Sequence, residues 1–306
     1  MDVPAWIPVT LAAAVFQAWR TALQAKLRHE LSAGGAAFVR YLYALPLDLA
    51  MLALAWLWFR PEGVTLTTSF WLFSLAGGIS QIFGTFFLIS AFHHRNFVVG
   101  TAYAKTEAVQ LVLISVLIVG VTLPPLAIVG AFVAVTGAIW LSIPIGQFTL
   151  RGWLHASLQP AALFGLAAGL GFALTALALR EASLTLNADL PVLLKALLVL
   201  LATNVLQTVI QGGYMARFER PQLRRCLTHW RAAYPVGVLS ALGSAAWFTG
   251  FSLTQVALVR GLGQIEIVFT LLFGHFFLKE RYRRGEALGL ILVATGVLTI
   301  ALAELH

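Results

Sequence analysis

The stretch 97–119 is apolar for long enough to cross a bilayer core, which takes ~20 residues of helix, yet Lys105 and Glu107 stand near its middle. A charge at that depth costs about 2.5–3.5 kcal/mol on insertion scales. Such residues face a bundle interior or a wet cavity and mark a pathway, or they form a structural ion pair. Positions two apart on a helix do not face one another, so Lys105 and Glu107 each need a partner from elsewhere.

The carboxylate recurs. A gapless shift of 159 residues carries Glu107 onto Glu266, inside a second apolar run. The same shift carries Gly78 onto Gly237, Gly84 onto Gly243, Phe92 onto Phe251, Val109 onto Val268 and Leu113 onto Leu272. It also carries Gly130 onto Gly289, Thr136 onto Thr295 and Gly137 onto Gly296. Apolar sequence matches itself readily. The spaced glycines and the paired glutamates raise these identities above that background, so the chain reads as two related halves.

Of 306 residues, 60% are hydrophobic and 10% charged, with a mean hydropathy of +0.88. Soluble chains carry about 25% charged residues, so this is an all-α, polytopic membrane protein. Its net charge of +8 does not point to nucleic acid, because the basic residues lie in loops. The single Cys226 rules out a disulfide framework. The first apolar segment lacks a basic leader and is not expected to be a cleaved signal.

Ten transmembrane helices are expected, at roughly 5–26, 34–58, 68–92, 97–119, 122–144, 158–180, 189–214, 232–254, 257–278 and 285–303. Residues 1–145 form a first five-helix repeat, 146–157 a linker and 158–306 a second five-helix repeat. An odd number of helices per repeat forces opposite orientations. The expected architecture is therefore two inverted repeats with a site at the midplane, and segments 76–139 and 235–298 should superpose after a two-fold rotation.

Loop charges orient the chain. Lys26, Arg28, Arg95, Arg151, Arg217, Arg220, Arg224, Arg225, Arg231, Lys279, Arg281, Arg283 and Arg284 fall in odd-numbered loops. The termini and even-numbered loops hold only Arg60 and Arg180. The basic side is expected to be cytoplasmic, which puts both termini outside a plasma (inner) membrane.

Several residues carry a resemblance. Phe38-Val39-Arg40-Tyr41 opens the second helix, and Ser90-Ala91-Phe92 ends the third. Gln264-Ile265-Glu266, Leu278-Lys279-Glu280, Gly289 and Ala294-Thr295-Gly296-Val297 follow in the second half. With these the chain resembles the drug/metabolite transporter superfamily, in particular its ten-helix EamA-type exporters, over nearly its whole length. It departs from that pattern at Ile267 and Ala108, where a proline is usual, and at Val121, which matches Glu280.

The candidate substrate-binding residues are Glu107, Lys105, Gln264, Glu266, Arg40, Tyr103, Trp247 and Trp19, with Glu266 and Glu107 as proton-coupling groups. Arg40 either snorkels or faces the cavity and holds an anionic group, and the resemblance favours the cavity. Lys195 is expected to snorkel. Asp48 is expected to pair with Lys105 or Arg40, and Arg260 to anchor or attract solute at the outer face. Tyr103, Trp247 and Trp19 are expected to line a cavity and stack on a ring or cation. His93-His94 reads as an interface pair and His275 as a satisfied bundle residue. Lys105 should hold Glu107 charged, leaving Glu266 the better proton carrier.

No phosphate-binding loop, nucleophile motif or metal-ligand cluster appears, so neither an enzyme nor a cofactor is expected. The function expected is secondary active transport of small polar metabolites, amino acid-like or purine-like, as a proton-coupled exporter. The alternative is a flippase for lipids or lipid-linked headgroups. Partners expected are the small-molecule solute and membrane lipid. Small-residue faces such as Gly165/Gly169 and Gly285/Gly289 serve packing within the chain, or a homodimer.

Overall fold

The computed structural model describes residues 4–27, 30–94, 103–120, 122–142, 159–277, 279 and 286–303. All regular structure among them is helical: α1 Trp6–Leu27, α2 Ala33–Leu42, α3 Leu45–Phe59, α4 Thr68–His94, α5 Glu107–Ile114, α6 Pro125–Ser142 and α7 Pro160–Leu184. These are followed by α8 Val192–Phe218, α9 Arg220–Thr228, α10 Trp230–Leu253, α11 Val256–Leu262, α12 Glu266–Phe276 and α13 Glu286–Ala303. The expected linker 146–157, His93-His94's side chains and the positions of Val121, Leu278, Glu280 and Gly285 lie outside what is described.

Among the described residues, six stretches are long and apolar enough to cross a membrane: Ala33–Phe59, Thr68–Phe92, Pro160–Leu184, Val192–Phe218, Trp230–Leu253 and Val256–Phe276. The protein is thus a multi-pass membrane protein. Shorter apolar helices cover Glu107–Val119, Pro125–Gly137 and Ile291–Ile300. The first helix stands apart because its inward face is polar: Gln17, Arg20, Thr21 and Gln24 recur at helical spacing.

Punctuation follows local chemistry. Ser32 caps α2, its hydroxyl accepting from Gly35 N at 3.1 Å. Pro125 and Pro160 open α6 and α7, where a missing N–H costs nothing. The α3 helix ends at Arg60 in the left-handed region, φ 46°. At the far end of α10, Arg180 donates to the carbonyls of Phe251 and Thr254, supplying donors to a helix C-terminus.

The broadest packing joins α4 to α7, α6 to α13 and α1 to α10. Glycines set the second of these. A side-chain carbon on Gly130 would lie 2.8 Å from the Gly296 carbonyl oxygen, and one on Gly137 would lie 2.7 Å from that of Gly289. The two helices are therefore antiparallel with their backbones in contact. Each glycine touches the sequence counterpart of the other, since the shift of 159 pairs Gly130 with Gly289 and Gly137 with Gly296.

Candidate functional site

Two helices break at matching places. From helical backbone at Tyr103 and Ala104, the chain turns through Lys105 and Thr106 and begins α5 at Glu107. After α11, a 3₁₀ turn over Gly263–Ile265 leads into α12 at Glu266. Each glutamate is thus the first residue of a helix that starts inside the bundle. The positive end of the helix dipole there favours a carboxylate. At the first break Thr106 satisfies its own neighbourhood, its hydroxyl donating to Tyr103 O at 2.8 Å.

The ion pairs cross between the two regions. Lys105 Nζ donates to Glu266 Oε2, with both side chains buried. Gln17 of α1 donates to the same oxygen at 2.7 Å. Arg260 Nε lies 2.9 Å from Glu107 Oε1, again buried. That second contact is close but poorly aimed, and neither atom has an aligned hydrogen-bond partner among the described residues. Arg260 is also clamped by rings, 4.3 Å from the Trp247 centroid and 5.0 Å from that of Phe251.

These placements correct two expectations. Lys105 does not hold Glu107; it holds Glu266, because residues two apart point away from each other and Glu107 faces Arg260. Arg260 is no surface anchor either: as part of a broken helix packed under Trp247, it is buried. The expected site residues otherwise fall as follows. Gln264 is buried, its amide donating to Arg260 O at 3.0 Å while its Oε1 finds no partner among the described residues. Tyr103 is buried at the first break. Trp247 is buried, with Nε1 unpartnered among the described residues. Trp19, by contrast, is 43% exposed and stacks on Phe273 at 5.9 Å, on the outer face of α1.

Arg40 faces inward. Its Nη1 donates to Thr85 Oγ1 at 2.9 Å and its Nε to Ser240 Oγ at 3.3 Å. Asp48 pairs with neither Lys105 nor Arg40: it accepts from Asn204 at 2.6 Å, because the bend between α2 and α3 directs it to α8. Lys195 donates to the Ala188 carbonyl at 3.2 Å near its helix start. His275 is exposed near the end of α12, edge-on to Phe276, rather than enclosed in the bundle. Cys226 lies in α9, where burial pushes its thiol up to about 11.

Sequence reasoning missed Arg20, Gln17, Thr85 and Ser240. Arg20 is 3% exposed in the middle of α1. The signal was present: Gln17, Arg20, Thr21 and Gln24 mark one face of an otherwise apolar helix at spacings of three and four. Two close approaches also shape the site. A side-chain carbon on Gly169 would lie 3.0 Å from Ala104 O, and one on Gly263 would lie 2.4 Å from the Trp247 ring.

Residues 159–302 match the model of the EamA-like transporter family. No curated protein matches the chain. A solved structure titled "Crystal structure of protein" aligns with a TM-score of 0.63 at 19% identity, over 95% of this chain and 98% of that one. That likeness is one of fold. The family match covers both the second helix break and the cross-paired Glu266, and by it the second half of the chain is similar to the EamA-like transporter family.

Proposed function

We propose that the protein is a secondary active transporter that exports small polar metabolites, amino acid-like or purine-like, by proton-coupled alternating access. The observation that carries this reading is the crossed pair of buried ion pairs at two helix breaks, Lys105–Glu266 and Arg260–Glu107. Broken helices with inward termini are the usual setting of transporter sites. Each pair ties a residue before 145 to one after 158, so protonating either carboxylate weakens a tie between the halves. Gln264, Tyr103, Trp247 and Arg40 supply hydrogen bonds, a ring and a cation for the solute.

The antiparallel, glycine-to-glycine contact of α6 and α13 supports two inverted repeats of five helices each. So does the reciprocity of the packing, with α1 on α10 and α4 on α7. The Lys/Arg distribution supports a plasma (inner) membrane location with both termini outside. A C-terminal reporter that fluoresces only in the cytoplasm should stay dark.

The deciding experiment is solute flux by reconstituted protein with and without an imposed pH gradient. Glu107→Gln and Glu266→Gln, each nearly isosteric and neutral, should fold and lose the response to the gradient. A Glu266→Gln protein whose flux follows the gradient like the wild type makes Glu266 structural.

One observation favours a second reading, headgroup flipping. An apolar groove of about 440 Å³ lies between α4 and α8, lined by Ile79, Phe83, Phe86, Ile210 and Tyr214, with Gln211 and Glu219 at its polar end. Translocation of a labelled lipid by the same proteoliposomes, with no aqueous solute flux, would replace the first reading with this one.

A further inference from the structure

Four cations lie buried around the breaks, Arg20, Arg40, Lys105 and Arg260, against two carboxylates, Glu107 and Glu266. Lys105 and Arg260 take both carboxylates. That leaves two guanidiniums without a negative partner among the described residues.

Their positions follow from register. Gln24 of α1 donates to Ala36 O of α2 at 2.8 Å, which fixes the crossing of the two helices. Arg20 lies one turn before Gln24, and Arg40 one turn after Ala36, so the two arginines meet on the same side of that contact. Glu266 forms no ion pair with Arg20 among the described residues and is occupied by Lys105 and Gln17. Asp48, the remaining buried carboxylate, accepts from Asn204.

What the two arginines do contact is neutral. Arg40 is held by the hydroxyls of Thr85 and Ser240, and lies 5.1 Å from the Tyr41 ring centroid. Thr85 is itself fixed by the Tyr41 hydroxyl at 3.3 Å. Arg20 Nη2 makes a long bond to Thr21 Oγ1 at 3.4 Å, and its buried Nε has no acceptor among the described residues. Neutral acceptors position a guanidinium without cancelling its charge. An uncompensated buried charge is expensive, and apolar replacements of buried charges are often neutral or stabilising. Two such charges side by side serve stability poorly and serve a ligand well.

We infer that Arg20 and Arg40 form the subsite for an oxyanion group, a carboxylate or phosphate, on the transported solute. The inference rests on the transport reading and narrows it to polar metabolites whose negative charge is not balanced within the molecule. The planar fork of each guanidinium suits two parallel N–H···O bonds to such a group. Lys105–Glu266 lies one turn away along α1, through Gln17, so an anion on the arginines sits beside the pair whose opening the transport cycle needs.

The test uses purified full-length protein and four probes: inorganic phosphate, succinate, its uncharged diamide, and putrescine as a cation of similar length. Phosphate or succinate should raise the melting temperature in proportion to the logarithm of its concentration, while diamide and putrescine should not. Which of the two anions acts tells phosphate from carboxylate. In Arg20→Met and Arg40→Gln the anion affinity should fall roughly tenfold or more, as expected for one lost charged partner. Without ligand, Arg20→Met should melt at or above the wild-type temperature. The inference is overturned if neither anion shifts the wild type, a result independent of any variant's folding, or if Arg20→Met binds anion as the wild type does. Proteoliposome flux separates the two claims. Anion binding without flux keeps the subsite and removes the transporter. Flux of neutral or cationic solutes without anion binding does the reverse.

Discussion

The two helix breaks carry the same carboxylate in the same place and neutralise it by unlike means. Glu266 accepts from both Lys105 and Gln17, two donors aimed at one oxygen. Glu107 has Arg260 at 2.9 Å, but the N–H is not directed at it, and Arg260 divides its attention with the faces of Trp247 and Phe251. Gln264, which stands 159 residues beyond Lys105, turns back onto its own helix. The two segments thus differ in where the cation comes from. The carboxylate opens a helix at both places; the cation that meets it differs.

That difference implies unequal costs. Lys105→Met strips the aligned cation from Glu266 and leaves a buried charge with one amide donor. The expected loss is about 3–5 kcal/mol in thermal or denaturant unfolding of the purified protein. Adding Glu266→Leu to the same protein should recover most of that stability while abolishing solute flux, because both charges are then gone. If the double variant is as unstable as the single one, the pair is not what the lysine serves.

Arg260→Met is the matching cut on the other side. It leaves Glu107 without a cation, yet the bond removed was never well aligned. The expected loss is smaller, about 2 kcal/mol, measured in the same unfolding assay. Equal losses for Lys105→Met and Arg260→Met would erase the contrast between the breaks. A larger loss for Arg260→Met would invert it and assign the weight to the ring contacts over Trp247.

Much of the fold was legible in the sequence, because apolar length and Pro, Gly and charged punctuation are local properties. The glutamates could be matched because the shift that aligns them also aligns glycines, and glycines turned out to be where α6 and α13 touch. Partner choice was not legible. Lys105 and Glu107 are neighbours in sequence, yet each is satisfied from across the molecule, at residues 266 and 260. Nothing local says which distant residue approaches. Arg260 was read as a surface anchor because it stands near the start of an apolar run; the break that turns it inward depends on Gly263 packing under Trp247. Arg20 was visible as part of a polar stripe on α1, but a stripe states a face and not its occupant.

Glycine placement gives the finest comparison. Shifted by 159, Ala104 meets Gly263, so the first break keeps a methyl where the second has none. The reason lies in the neighbours. At the first break the space is made by the partner helix, whose Gly169 lets α7 run against Ala104 O and Glu107 N. At the second it is made by the break itself, because Trp247 lies over it and a methyl on Gly263 would fall 2.4 Å from the indole. Gly263→Ala should therefore cost about 2 kcal/mol, since a rigid ring has to move and carries Arg260 with it. Gly169→Ala places a methyl 3.0–3.2 Å from backbone and hydroxyl atoms, which a small shift of α7 relieves, so about 1 kcal/mol is expected. Unfolding of the two variants ranks them. Combining Gly263→Ala with Trp247→Phe should return part of the loss, because the smaller ring clears the methyl; a loss unchanged in the double variant would mean that the 3₁₀ turn, and not the indole above it, demands glycine there.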